Sequence, residues 1–177
     1  MTRLERVTNV LIAAACVVVI SDILAARLPL LRPKPATASS PRPQYTVGER
    51  FALPPRFSFQ ATAATLYLIV RETCSYCRAS VPFYQELAKT IHQRSVRPLL
   101  VGVCNDTSEA CADYFKKSDV EADRTFGVAS TDLKVAGTPT IILVDRNGVV
   151  RSIWRGKLSR RQELEVIGEA SAIAEER

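Results

Sequence analysis

Two cysteines lie three positions apart in the stretch LIVRETCSYCRASVPFY, residues 68–84. Cysteines at this spacing can bind a metal, close a small structural loop or exchange electrons as a dithiol and a disulfide. A structural zinc site needs four ligands. The chain has a single histidine, His92, and no second cysteine pair of this spacing. The sequence therefore predicts neither a metal nor another cofactor.

The position of the pair favours electron exchange. Cys74 falls where an apolar strand pattern ends and a helical one begins, and unpaired backbone N–H groups at a helix start stabilise a thiolate. Cys77 lies one turn further on, where it can attack a mixed disulfide formed at Cys74. A bridge across two residues would constrain the unfolded chain little, so a structural role explains less. We interpret Cys74 as the attacking thiol and Cys77 as the resolving thiol, with Tyr76 between them lining the site.

Strand patterns surround this pair. Continuous apolar runs of strand length predict strands buried on both faces at 66–70, 98–103 and 140–144. The sequence DRNG at 145–148 predicts a hairpin turn that returns as a strand over 149–154. The region 126–135 has no clear pattern.

Helical patterns alternate with the strands. A helical period predicts a helix over 75–94, kinked at Pro82. A second helix is predicted from a cap at Thr107 or Ser108 to about Lys117, and a third from Ser159 onwards. The order predicts an α/β fold, a mixed sheet of four or five strands with helices on both faces.

The sequence CSYC after an apolar strand, with GTPT at 137–140 and then IILVDRNG, resembles the thioredoxin superfamily. Within it, the apolar N-terminus, the spacer and the CRASVPFY continuation look like the TlpA/ResA group of membrane-tethered thiol–disulfide oxidoreductases. The resemblance covers roughly residues 47–168. It implies a thioredoxin-like fold with a cis peptide bond at Thr138–Pro139 beside the cysteines. Physically, a cis bond there exposes the Thr138 backbone for pairing with an incoming substrate strand.

Three positions depart from the family pattern. Trp often precedes the first cysteine, and here that residue is Thr73. Many thioredoxins carry a buried acid six residues before that cysteine, and ResA-like proteins a Glu three residues after the second one. These positions are Leu68 and Ser80 in this chain. Proton transfer would then depend on water or on Glu72.

Two further cysteines follow the second predicted strand. Cys104 ends that strand, and Cys111 lies seven residues later in the next helix. In this fold the strand runs parallel to the one that leads to Cys74, which would place Cys104 near the active site. Three interpretations stay open: a structural disulfide between the two, two buried free thiols, or a second redox pair that exchanges with the first.

The N-terminus contains an unbroken apolar run from Val10 to Ile20, which reaches membrane-spanning length only when extended to Val7–Ala26. An uncleaved anchor, a cleaved signal peptide and a buried core helix all fit this run. Residues 29–43 hold five of the ten prolines in the chain and read as an extended spacer. We predict an N-terminal anchor or signal segment (1–28), a proline-rich linker (29–44) and a thioredoxin-like domain (45–177).

Charge bears on partners and on topology. Of the net charge of +6, residues 1–44 carry +4, which is typical of a segment beside a membrane and argues against nucleic acid. The cluster of basic residues after the apolar run favours a cytoplasmic domain by the positive-inside rule. An anchored redox domain on a spacer is more useful in an oxidising compartment. We expect an inside N-terminus and a catalytic domain on the periplasmic or extracytoplasmic side.

Together these features predict a thiol–disulfide oxidoreductase that exchanges disulfides with protein cysteines through Cys74 and Cys77. Thr138 and Pro139 would hold the substrate. Its partners would be those proteins, an unidentified redox partner and the membrane. The alternative is a binding or scaffold module with a thioredoxin fold and a purely structural disulfide.

Overall fold

The structure, a computed structural model, describes Val17 and residues 44–52, 64–129 and 132–175. The predicted anchor or signal segment and almost all of the predicted linker lie outside these residues, so the proposed division of the chain stays a prediction. Among the residues that are described, no helix combines the length and the apolar character needed to cross a membrane.

Five strands form one mixed sheet in the order β3-β2-β1-β4-β5. They are β1 (Thr65–Val70), β2 (Leu99–Cys104), β3 (Arg124–Gly127), β4 (Thr140–Val144) and β5 (Val150–Arg155). The first three strands are parallel, whereas β4 runs antiparallel to β1 and β5 antiparallel to β4. The three predicted buried strands and the hairpin are confirmed to within a residue at each end.

Strand β3 lies partly in the region without a clear sequence pattern, and it was not predicted. It has four residues and occupies the edge of the sheet beside β2. Only Gly127 within it is buried. An edge strand this short shows no apolar alternation, because one of its sides faces no neighbouring strand.

Within residues 64–175, apart from the two that are not described, the sheet is accompanied by the helices α1 (Ser75–Ala79), α2 (Val81–His92), α3 (Ser108–Lys117) and α4 (Arg160–Glu175). The predicted cap at Thr107 is confirmed, since its side chain accepts a hydrogen bond from the Ala110 N–H. The prediction of one helix over 75–94 kinked at Pro82 is wrong. The chain instead breaks at Ser80, and Pro82 lies in the first turn of α2, where its missing N–H leaves no hydrogen bond unmade.

The sheet separates two apolar clusters. Alternate residues of β1 point to opposite sides, with Leu66, Leu68 and Val70 in one cluster and Tyr67 and Ile69 in the other. The first cluster also contains the buried residues of α2, α3 and α4, and the second contains no helical residue. Within the described part of the chain, the expectation of helices on both faces is therefore wrong.

Irregular chain covers the second face. Tyr45 and Leu133 are buried there, and the ring of Phe51 lies 4.8 Å from that of Tyr45 and 4.2 Å from that of Tyr67, measured between centroids. The Tyr45 N–H donates to the Lys134 carbonyl at 3.0 Å. Aromatic and aliphatic side chains on two extended segments thus bury the apolar surface that a helix would otherwise cover.

Candidate active site

Cys74 caps the start of α1. Strand β1 ends at Val70, and Cys74 follows after a turn with an extended backbone, which places its side chain over the first turn of the helix. Its Sγ accepts a hydrogen bond from the Cys77 N–H at 3.1 Å. A sulfur in this position receives the backbone donors that a helix start leaves unpaired, and these donors favour the thiolate.

The two thiols differ in exposure and in pKa. Partial burial raises the pKa of the Cys74 thiol, but hydrogen bonds from Cys77 and from the Thr138 side chain outweigh it, so that this pKa lies below its ordinary value. Cys77 is completely buried. Its burial, together with its hydrogen bond to Cys74, raises its pKa to about 12. Near neutral pH, Cys74 is therefore the thiol that can attack an external sulfur.

The loop before β4 meets this pair. The Cys74 thiol donates to the Thr138 carbonyl at 3.3 Å, and the Thr138–Pro139 peptide bond is cis, as the resemblance implies. Two contacts fix the loop: the Thr140 hydroxyl donates to the Gly137 carbonyl at 2.8 Å, and the Gly156 N–H donates to the Pro139 carbonyl at 2.8 Å. The structure thus brings Cys74 and Thr138 together across 64 positions of the sequence.

The remaining predicted site residue, Tyr76, lies at the surface. Its side chain is 62% exposed between the two cysteines. The two positions noted for their missing acids are buried: Leu68 is fully enclosed in β1, and Ser80 donates to the Tyr76 carbonyl at 2.9 Å. An exposed aromatic ring beside Cys74 offers an incoming polypeptide apolar contact area.

Two buried tyrosines lie in the same apolar cluster as Cys77. The hydroxyl groups of Tyr84 and Tyr114 have no hydrogen-bond partner among the described residues. Burial raises the pKa of both phenols, to about 12 for Tyr114, and the nearby Cys77 adds to the rise. The surroundings of Cys77 therefore include neutral hydroxyl groups.

Cys104 and Cys111 form a disulfide that joins the end of β2 to α3. Cys104 pairs in register with Val70, the last residue of the strand that leads to Cys74. Both cysteines are buried, with exposures of 2% and 0%. Of the three interpretations left open by the sequence, two free thiols do not describe this structure.

A cavity of about 180 Å³ lies beside the Thr138 loop. Its walls combine apolar side chains from β1 and from residues 133–136 with two polar residues, Arg71 and Asn105. Sequence analysis missed both. The available signal was their position: Arg71 directly follows β1 and Asn105 directly follows β2, and the carboxyl ends of parallel strands meet at one edge of a sheet.

Among the residues that the structure describes, no group of three or more His, Cys, Asp and Glu side chains is arranged to hold a metal ion.

Several solved structures share this architecture. A secreted thiol-disulfide isomerase from Corynebacterium glutamicum is 13% identical with a TM-score of 0.53, over 66% of this chain and 73% of that one. A second thiol-disulfide isomerase from that organism is 16% identical with a TM-score of 0.51, over 76% and 94%. A secreted Mycobacterium tuberculosis disulfide oxidoreductase is 14% identical with a TM-score of 0.50, over 64% and 84%.

No protein-family model matches the chain, and no curated protein matches it by sequence. The similarity to solved structures lies at low identity and shows the fold. The chain has the thioredoxin-like α/β fold, with a mixed five-stranded sheet and Cys74 at the junction of β1 and α1.

Proposed function

We propose that this protein is a membrane-anchored thiol–disulfide oxidoreductase that exchanges disulfides with protein cysteines outside the cytoplasm. The observation that carries the proposal is the contrast between the two thiols. Cys74 is partly exposed with a lowered pKa, and Cys77 is fully buried with a pKa raised to about 12. One accessible nucleophile and one shielded resolving thiol are what two-step exchange requires.

The reaction proceeds in two exchanges. The Cys74 thiolate attacks one sulfur of a substrate disulfide, whose S–S bond breaks as a Cys74–substrate disulfide forms and the other substrate sulfur leaves as a thiolate. Cys77 then loses its proton and attacks Cys74 Sγ, which releases the second substrate thiolate. The substrate gains two electrons and takes up two protons, and the Cys74–Cys77 pair is oxidised. The same steps in reverse oxidise a substrate dithiol.

Two roles follow for the loop before β4. The Thr138 carbonyl lies 3.3 Å from Cys74 Sγ, so a polypeptide joined to that sulfur passes beside the Thr138 backbone. Backbone groups there can pair with an extended substrate segment, as in strand addition. Pro139 fixes the path of this backbone, and exposed Tyr76 contacts the substrate on the other side.

Solved structures support the chemistry and the compartment. Three proteins with the same fold carry descriptions as thiol-disulfide isomerases or as a disulfide oxidoreductase, and two of them are described as secreted. The Cys104–Cys111 disulfide also favours an oxidising compartment, since cytosolic reductants keep most such pairs reduced.

Trapping of mixed disulfides tests the function. In Cys77→Ser, the first exchange should proceed and the second should fail, so that substrate proteins accumulate as covalent adducts of Cys74 on non-reducing gels. Cys74→Ser should trap few or none. Equal trapping by the two variants would contradict the assigned roles. Absence of adducts in both, with slow alkylation of Cys74, would favour the alternative of a binding or scaffold module.

Reporter fusions test the compartment. A C-terminal alkaline phosphatase fusion to the full chain should be active and a green fluorescent protein fusion dark, because the first folds outside the cytoplasm and the second inside it. The opposite pattern would place the domain in the cytoplasm and remove the anchor from the proposal.

A further inference from the structure

We propose that the cavity lined by Arg71 and Asn105 binds a carboxylate side chain of the substrate polypeptide, one or two residues from the cysteine that reacts with Cys74. We call this cavity the carboxylate subsite. It rests on the proposed function, and it makes the enzyme selective for cysteines with an acidic neighbour.

The location of the subsite fits such a role. Thr138 lines the cavity and its carbonyl contacts Cys74 Sγ at 3.3 Å. A chain linked to that sulfur advances by about 3.3–3.6 Å per residue when extended. A side chain one or two residues from the linked cysteine can therefore reach the part of the cavity that Thr138 lines.

The lining suits a carboxylate on a short apolar stem. Ile69, Leu133 and Val135 are apolar residues of the lining, whereas Arg71 and Asn105 are lining residues whose side chains carry N–H donors. Within the described residues, the Arg71 guanidinium forms no ion pair and the Asn105 amide no side-chain hydrogen bond, so both donors are available. A guanidinium matches a carboxylate with two parallel hydrogen bonds.

The volume of the cavity limits the size of the group that it can hold. Sites for drug-sized molecules and cofactors measure roughly 300–1,000 Å³. The observed volume of about 180 Å³ is smaller and suits one amino-acid side chain. This points to a Glu or Asp of the substrate.

Charges outside the cavity act in the same direction. Arg78 is exposed on α1, and Lys157 is exposed in the loop whose Gly156 N–H contacts Pro139. Glu72 is the acid that precedes Arg78 in sequence, and Glu163 follows Lys157. A positive rim favours the approach of an acidic segment, but it does so at any position and without contact geometry. Arg78 does not line the cavity, and it therefore serves as the control that separates general attraction from binding in the subsite.

The test uses the Cys77→Ser protein, which performs the first exchange alone. Blocked hexapeptides carry one cysteine as a mixed disulfide with 2-thiopyridine, with Glu or Gln one or two residues to either side. Cys74 attacks the peptide sulfur, the bond to thiopyridine breaks, and the released thiopyridone is followed by absorbance. The measured quantity is the ratio of the second-order rate constants for the Glu and Gln peptides.

At the best position of Glu, this ratio should fall by about threefold when Arg71→Gln is added, which is the size expected for a partly exposed ion pair. Comparison between variants cancels the intrinsic reactivity of each peptide. Arg78→Gln should lower the ratio by a smaller factor that is the same at every position of Glu, because it removes only general attraction. Alkylation of Cys74 by neutral iodoacetamide reports whether Arg71→Gln has left the thiol itself intact.

Three outcomes would overturn the subsite. The first is a ratio that Arg71→Gln does not change, and the second is an equal fall in Arg78→Gln. The third is a greater dependence on Arg71 for the thiopyridine disulfide of glutathione, measured against its dimethyl ester, than for any Glu peptide, which would point to a small-molecule thiol. In all three, reaction of the Gln peptides keeps the proposed function intact. Failure of every peptide, with iodoacetamide also slow, would remove the function and the subsite together.

Discussion

The two thiols of the site have the same chemistry in a free peptide and different chemistry in the fold. Cys74 receives the Cys77 N–H and touches the Thr138 carbonyl, whereas Cys77 is enclosed by apolar side chains. The difference arises from one helical turn, which carries the second cysteine from the surface into the core.

Selective alkylation measures that difference. Because the pKa of Cys74 is lowered and that of Cys77 is raised to about 12, iodoacetamide should label Cys74 and leave Cys77 unlabelled in the reduced protein between pH 6 and pH 9. The labelling rate of Cys74 should increase with pH as its thiol ionises, around a pKa below that of an ordinary thiol. Cys77→Ser should retain this fast labelling and Cys74→Ser should lose it. Equal labelling rates at Cys74 and Cys77 would contradict the assignment of Cys74 as the attacking thiol.

Sequence could predict the geometry around Cys74 where local spacing carries the information: the cis bond at Thr138–Pro139 and the contact between Thr138 and Cys74 are both observed. The cysteine pair and the Thr138–Pro139 sequence are short motifs, and the family resemblance placed them side by side. Arg71 and Asn105 belong to no motif, and they meet only because Val70 and Cys104 pair in the parallel register. The register between strands that are far apart in sequence is set by packing, so neither segment predicts it by itself.

At the scale of elements, strands buried on both faces were the easiest to predict, because their apolar runs are continuous. β1, β2 and β4 have this property. Edge strand β3 lacks it. The sequence predicted a kink at Pro82, whereas the structure has a break at Ser80. A proline in a helical pattern can either kink a helix or occupy the first turn of a new one. The pattern around Pro82 does not distinguish these two cases.

Gly127 allows β3 to pass close to the start of α3. A Cβ at this position would overlap backbone atoms of Asp106, Thr107 and Ser108, and backbone cannot move as a side-chain end can. We expect Gly127→Ala to lower the free energy of unfolding by about 2–3 kcal/mol in urea titrations. Gly168→Ala is the control, because its Cβ would meet open space on α4. This change should be neutral or stabilise by up to about 1 kcal/mol.

The Cys104–Cys111 disulfide should stabilise the junction of β2 and α3. It closes a short loop with a sequence separation of 7, and loop-closure entropy predicts about 2.5 kcal/mol for such a loop. The double variant Cys104→Ser, Cys111→Ser should lose about this much in urea, while the rate of Cys74 alkylation stays unchanged. Slower reduction of the oxidised Cys74–Cys77 pair in this variant, without loss of stability, would favour the second redox pair instead.

For the molecule as a whole, the fold class followed from the order of elements, and the covering of the sheet did not. The order of three helical and four strand patterns predicted helices on both faces, but the second face is closed by Tyr45, Phe51 and Leu133 on irregular chain. Segments without periodicity give no signal of which surface they cover, so their contribution to the core became visible only in the structure.

Buried weak acids make stability depend on alkaline pH. The ordinary pKa of Cys77 is 9.0 and its folded value about 12, and that of Tyr67 rises from 10.0 to about 12. The unfolded chain therefore releases protons that the folded chain retains. This stabilisation is complete below about pH 9 and is lost as pH rises towards 12.

Urea titrations of the reduced protein at pH 8, 9 and 10 measure this dependence. Up to about pH 9 the midpoint should rise slightly, because the pKa of Cys74 is lower in the folded chain than in the unfolded one, and above this pH it should fall. In Cys77→Ala, the fall between pH 9 and 10 should be smaller, since one of the retained protons is gone. A midpoint that still rises between pH 9 and 10 would contradict the raised values.

The backbone hydrogen bond between Tyr45 and Lys134 joins two segments that cover the second face of the sheet, so we expect these segments to open together. The Tyr45 N–H donates to the Lys134 carbonyl, the Arg155 guanidinium to the Tyr45 carbonyl, and the Phe51 N–H to the Gly148 carbonyl. Detachment of residues 44–52 would release residues 133–135, whose chain continues directly to Thr138. Hydrogen exchange at these amides should therefore occur as one local opening event, well below the free energy of global unfolding. Residues 44–52 and the loop that leads to Thr138 would therefore detach and dock again together, as one cooperative unit.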